Sequence, residues 1–247
     1  MDNYRPKGFS ILPEVVKNLL IINGLMFLLT VVLGSKFVDL THYLALYMPG
    51  SGNFAPHQLV THVFMHGNFT HLLFNMFALW MFGSALENVW GAKRFLIYYL
   101  LTGIGAGLIH LGVSLIELNM VAQDLSADAI AQIKSQGADI LASGRNYVDA
   151  TWAKYNLQLN VPTVGASGAV FGLLLAFGML FPNSRIYLYF AIPVKAKYFV
   201  IGYGLLELFN GIRNHPADNV AHFAHLGGMV IGYLVIQYWK KNSRTLY

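Results

Sequence analysis

Apolar and polar positions along the chain segregate into blocks much longer than one turn of helix. Apolar runs cover residues 15–34, 70–86, 95–116, 161–181, 198–212 and 220–239. A helix that crosses the hydrocarbon of a bilayer needs about 20 mostly apolar residues. The third and sixth runs meet that requirement cleanly, whereas the second and fifth are short and the fifth contains Glu207. Asn68 or Thr70 is placed to cap the second helix, and Pro162 stands where a fourth can begin. The pattern predicts an all-α membrane protein, a bundle of six transmembrane helices in one domain over residues 1–247. Two connecting segments are long. Residues 35–69, rich in Gly, Pro, His and aromatic side chains, read as a loop partly embedded in the interface. Residues 117–160 carry five acidic and three basic side chains and form a hydrophilic insertion between helices three and four. Within it Ser126 is expected to cap a short helix through Ile133, with a second helix over 147–155.

Composition agrees with this picture. The chain is 56% hydrophobic and 11% charged, with a mean hydropathy of +0.52, whereas soluble domains are about a quarter charged. The net charge of +5 is dispersed in short clusters, with no basic stripe, so no nucleic-acid partner is expected. There is no cysteine, which removes disulfides and thiolate chemistry. Arg5, Lys7 and Lys17 precede or open the first run without a small-residue cleavage site after it, as in a retained helix rather than a signal peptide. With the N-terminus in the cytoplasm, eleven of the sixteen Lys and Arg residues fall on inner segments and five on outer ones. That bias predicts both termini inside.

In this topology helices two, four and six run from outside to inside, and each carries its unusual polar residues near its start. These are His71 and Asn75, one turn apart; Ser167, within Gly165-Ala166-Ser167-Gly168; and His222 and His225. At 1.5 Å per residue, Ser167 and His225 both lie roughly 10 Å inside the outer boundary. The patterns Gly168-x-x-x-Gly172 and Gly228-x-x-x-Gly232 allow helices four and six to approach closely. Ser167 then comes within reach of an imidazole able to take its proton. Asp218 is seven residues from His225 and Glu207 is on another helix, so a Ser–His dyad is expected rather than a triad. Phe171, one turn below Ser167, is placed to stack on the imidazole. The Ser167 backbone N–H and the side chains of His71 and Asn75 are suitable oxyanion donors.

These residues resemble the rhomboid family of intramembrane serine proteases, in its bacterial form. The resemblance rests on Gly165-Ala166-Ser167-Gly168, His71-Leu72-Leu73-Phe74-Asn75 and Ala224-His225-Leu226-Gly227-Gly228 followed by Gly232, in the family's order, and extends from about Leu59 to the C-terminus. It implies cleavage of transmembrane segments of other proteins near their outer ends, without metal or cofactor. Ser167 would be nucleophile and His225 general base, with His71 and Asn75 binding the oxyanion. His62 and His66 resemble the family's loop histidines, and the fifth helix with residues 210–219 would resemble a lateral gate and cap. His57-Gln58 stands where the family often has Trp-Arg, which leaves the contacts of the first loop open. A bacterial inner membrane is the expected location.

Blander readings bear on individual residues. Ser in a Gly-rich helix usually bonds its own backbone, and Asn75 alone reads as glue between helices. His222 and His110 read as structural. His62 and His66 have i, i+4 metal-site spacing but no HExxH motif, so a loop network is expected and no metal. Glu207 is either functional, as an intramembrane acid, or a partner to backbone or Asn210. A transporter would call for broken helices or inverted repeats, which the sequence lacks. A catalytically dead relative that binds membrane clients would lack the serine or the base.

Overall fold

The computed structural model describes residues 8–34, 37–188, 191–213 and 220–242. Helix α1 (Glu14–Gly34) begins where the Glu87 carboxylate accepts from the N–H groups of Val15 at 3.0 Å and Val16 at 2.8 Å. An anion there satisfies free donors and complements the helix dipole. The first loop holds two short helices, α2 (Leu40–Leu44) and α3 (Gln58–Thr61), followed by a 3-10 turn at His62–Phe64. Helix α4 (Phe69–Ala78) is capped by Asn68, whose side chain accepts from the His71 N–H. It passes through a π turn at Leu79–Gly83 into α5 (Ser84–Ala122).

Residues 69–122 make one continuous apolar helical stretch. At 1.5 Å per residue it would be about 80 Å long, more than twice the roughly 30 Å hydrocarbon core. Gly91, at φ 76° and ψ 163°, interrupts it and divides it into two arms; a residue with a Cβ resists that conformation. This stretch and α1 are the two long enough and apolar enough to cross a membrane among the described residues, and Ser167–Leu180 is apolar but shorter.

The 117–160 insertion forms α6 (Ala127–Ala142) and α7 (Ala150–Asn160). Ser126 caps α6 as expected, but the helix runs well past Ile133, which is fully buried against Met48, Leu118, Val121, Tyr155 and Leu159. This small core fastens the insertion to both the first loop and α5. Helix α7 starts at Ala150 rather than 147, because the Asp149 carboxylate caps it through the N–H groups of Thr151 and Trp152.

The largest departure from expectation is the start of α8 (Ser167–Leu180), which begins at Ser167 and not at 161. The segment before it is non-helical: Thr163 exchanges backbone hydrogen bonds with Leu46 at 2.8 and 2.9 Å, and Gly165 sits at φ +130°. After α8 a short antiparallel hairpin, β1 (Arg185–Leu188) with β2 (Ile192–Lys195), leads into α9 (Ala196–Arg213) and then α10 (His222–Asn242). The hydropathy pattern does not predict this hairpin. Its strands are four residues each, too short for a period-2 signal to stand out.

Helix α8 is the centre of the bundle, buried on nearly every side, with α5 and α10 packed against it. Its mates approach through glycines. A Cβ at Gly228 would overlap the carbonyl oxygen of Gly168, and one at Gly232 would stand 3.4 Å from the Gly172 Cα. The Tyr98 hydroxyl, fully buried on α5, donates to the Gly172 carbonyl at 2.8 Å.

Candidate active site

Close packing of α8 on α10 sets the geometry of the site. Ser167 is the first residue of α8, and His225 lies in the first turn of α10. The Ser167 Oγ and His225 Nε2 are 2.9 Å apart, a hydrogen-bond distance. The imidazole stacks on Phe171 with ring centres 4.1 Å apart and planes within 7°, so Phe171 fixes the plane in which the ring meets the serine. Because α8 starts at Ser167, the serine is not buried a turn and a half into a helix. Its own N–H is among the unpartnered donors at the positive end of α8.

His71 reaches the same place. Gly165 donates its N–H to the His62 carbonyl at 2.9 Å, and a Cβ on it would stand 2.8 Å from His71 Cε1 and 3.5 Å from Ser167 Oγ. Only glycine suits both its φ and the closeness of that ring. Asn75 is buried, and its amide nitrogen donates to the His71 carbonyl one turn back at 3.0 Å. Of the residues singled out from the sequence, Ser167, His225, Phe171, Gly165 and His71 therefore come together. Gly168, Gly228 and Gly232 line the helix contact beneath them, and Asn75 adjoins them through His71.

One expectation is overturned. A carboxylate does reach His225: Glu207 Oε2 lies 2.9 Å from His225 Nδ1 and 2.6 Å from His222 Nδ1. Helix α9 packs against the start of α10, where a Cβ on Gly211 would meet His222 and Phe223 at 3.2–3.3 Å. That contact brings Glu207, one turn earlier, level with both histidines. His222 is thus a partner of Glu207. Asp218 and the loop at 214–219 lie outside the described residues. Glu207, His222 and His225 also place three possible ligand atoms within 4.8 Å of one another. Ligand atoms of a tetrahedral zinc with bonds of about 2.0–2.1 Å stand roughly 3.3 Å apart, whereas the 2.6 and 2.9 Å separations here are those of shared protons.

Residues 53–241 match the family described as Rhomboid domain. The chain belongs to the rhomboid family. Among similar proteins, RHOMBOID-like protein 12, mitochondrial, of Arabidopsis thaliana is 28% identical over 88% of this rhomboid chain and 56% of its own length. Putative rhomboid protease YdcA of Bacillus subtilis is 26% identical over 76% of the chain and 70% of its own length. Rhomboid protease AarA of Providencia stuartii is 28% identical, with 69% and 51% covered. The chain spans about half the length of several relatives it matches. The family is membrane-embedded. Because the relatives include mitochondrial and chloroplastic proteins beside bacterial ones, they lend no support to a bacterial inner membrane.

The loops of this rhomboid supply contacts that spacing alone did not reveal. Gln58 is 1% exposed; its Oε1 accepts from the N–H of Ala55 at 3.1 Å and Tyr47 at 3.3 Å, and its Nε2 donates to the Asn53 carbonyl at 2.8 Å. One side-chain amide therefore closes the first loop at the His57-Gln58 pair. His62 Nδ1 bonds the Gln58 carbonyl at 2.8 Å, in keeping with a loop network. His110 Nε2 bonds Thr163 Oγ1 at 2.9 Å and helps hold the extended segment before Ser167. His66 packs edge-on to His71 with ring centres 5.2 Å apart. Burial, with His71 beside it, pushes the His66 pKa down to about 4, and burial lowers that of His62.

Proposed function

We propose that this rhomboid is an intramembrane serine endopeptidase that cleaves transmembrane segments of other membrane proteins near their outer ends. The observation that carries the reading is the 2.9 Å contact between Ser167 Oγ and His225 Nε2, with the imidazole stacked on Phe171. A serine hydroxyl is a weak nucleophile until a neighbouring base accepts its proton. In the reaction Oγ attacks the scissile carbonyl carbon while its proton passes to His225 Nε2. The oxyanion that forms is held by the Ser167 N–H, at the positive end of α8, and by the side chains of His71 and Asn75. Collapse of this intermediate breaks the C–N bond, and His225 returns the proton to the leaving amine. Water, deprotonated by the same imidazole, then releases the acyl group from Ser167.

The chain crosses the membrane six times with both termini on the cytoplasmic side. The Gly91 interruption supports counting 69–122 as two crossings, and the distribution of Lys and Arg supports the orientation. Substrates are segments whose helix opens readily near the outer interface, since a helical amide is protected by its own hydrogen bonds. The test is cleavage of a model transmembrane substrate in liposomes by the wild type and by Ser167→Ala, with fluorophosphonate labelling in parallel. Cleavage and labelling should both depend on Ser167. Either one persisting in the variant removes the assignment.

A further inference from the structure

We propose that Glu207 is a positioning residue for His225, so that the site works as Ser167–His225–Glu207 with His222 holding the carboxylate from its other side. The inference rests on the serine-protease reading above. It begins from proton placement. An ionised carboxylate only accepts hydrogen bonds, so the 2.9 Å contact of Glu207 Oε2 with His225 Nδ1 puts a proton on Nδ1. In a neutral imidazole Nε2 is then bare, and at 2.9 Å it accepts from the Ser167 hydroxyl. That is the tautomer a general base needs, and Glu207 selects it.

Charge leads to the same assignment. When Ser167 gives up its proton, His225 becomes an imidazolium that is 8% exposed. A positive charge so buried is costly unless paired. Glu207, 6% exposed, is the group that pairs with it. His222 Nδ1, at 2.6 Å from the same oxygen, anchors that oxygen toward the ring.

The location of Glu207 adds a consequence. Helix α9 buries Ala196, Val200, Glu207 and Gly211, a narrow stripe, while Leu205, Leu206, Leu208, Phe209 and Ile212 face outward. Glu207 is the buried charged residue of this stripe among the described residues. Orientation of the base is therefore tied to the seating of α9 on α10. An outward displacement of α9 that breaks the 2.9 Å contact leaves His225 with Phe171 and the Ser167 hydroxyl, which can donate or accept, so that neither tautomer is preferred.

The experiment uses the full chain in liposomes with a model transmembrane substrate, each variant being assayed well below its own unfolding temperature. Glu207→Gln removes the charge and replaces a group that only accepts by an amide that both donates and accepts, so the tautomer of His225 is no longer dictated. Its kcat should fall on the order of 10²- to 10⁴-fold, with KM within a few fold. Glu207→Asp, which restores the charge, should recover at least about tenfold of that loss. A purely structural role predicts instead that Gln, the closer match in shape, outperforms Asp. Wild-type kcat in Glu207→Gln, or Gln surpassing Asp, overturns the assignment of Glu207 while Ser167-dependent cleavage by the wild type leaves the serine-protease reading standing. Absence of Ser167-dependent cleavage in the wild type overturns both.

Discussion

Replacing Gly228 by alanine tests whether the contact of α8 with α10 sets the distance between Ser167 and His225. A Cβ at this position would overlap the carbonyl oxygen of Gly168 and stand 2.7 Å from its carbonyl carbon. Carbon atoms pack at about 3.5–4.0 Å, so relieving the carbon contact alone parts the two helices by about 1 Å, and the overlapping oxygen requires more. The atoms in the way are backbone and have no rotamer to retreat into. Gly228 is one turn below His225, and Gly168 is next to Ser167, so the opening passes almost directly to the 2.9 Å gap between Oγ and Nε2. Widened by about 1 Å, that gap exceeds hydrogen-bond range. A misplacement of 1 Å can cost about 10²-fold in rate, and overpacking of this kind typically costs about 1–3 kcal/mol of stability. Gly228→Ala should therefore insert and fold with a lowered unfolding temperature, yet cleave a transmembrane substrate in liposomes about 10²-fold more slowly than wild type. Gly112→Ala is the control: it lies on α5 with open space around the new methyl group and should cleave at the wild-type rate. Wild-type cleavage by Gly228→Ala would refute the claim that this contact positions the pair.

Three further outcomes are expected. Asn75→Ala should lower kcat without lowering Ser167 labelling to zero, since removing one oxyanion donor costs about 2.7–4 kcal/mol, or 10²–10³ in rate; equal turnover of the variant and wild type would exclude that role. Gln58→Leu leaves the N–H groups of Tyr47 and Ala55 without their acceptor and should destabilise the protein by on the order of 2 kcal/mol, read as a drop in thermal midpoint. His66, neutral in the fold down to about pH 4 but with an ordinary value of 6.5, binds its proton more readily in the unfolded chain. Its contribution is therefore full above pH 6.5 and is lost as the pH falls from 6.5 towards 4, by up to about 3 kcal/mol. His66→Leu should flatten the dependence of thermal midpoint on pH across that window, and an unchanged slope would count against it.

Features that depend on local periodicity and capping were legible in the sequence. Ser126 caps the helix it was expected to cap and Asn68, one of two candidates with Thr70, caps the other, because an Asn or Ser before an apolar-periodic run acts through its own next three residues. The stacking of Phe171 on His225 follows from one turn of spacing on α8, once α8 and α10 are paired. Helix starts governed by tertiary contact were not legible. Residues 161–166 are apolar enough to extend α8, but pairing of Thr163 with Leu46 and the positive φ of Gly165 hold them extended. The hydropathy of the segment contains neither fact.

The same distinction explains why the pairing of Ser167 with His225 was readable and the approach of Glu207 was not. Ser167 and His225 each sit in a glycine-rich context on its own helix, and the repeats at 168/172 and 228/232 record that these helices touch. Glu207 has no such record: it lies 18 residues from His225, and its approach depends on how α9 seats against the first turn of α10. Gly211 is the one local trace of that seating, since the missing side chain admits His222 and Phe223 within van der Waals contact. A single glycine four residues after a buried acid is too common to be read as a signal. What makes it meaningful is the energetic demand of the proposed reaction: an imidazolium formed in a buried setting is costly without a counter-charge, and Glu207 is the carboxylate within reach of His225 Nδ1. The demand can be stated from the sequence as soon as Ser167 and His225 are paired, and α9 then becomes the helix on which to look for the residue that meets it.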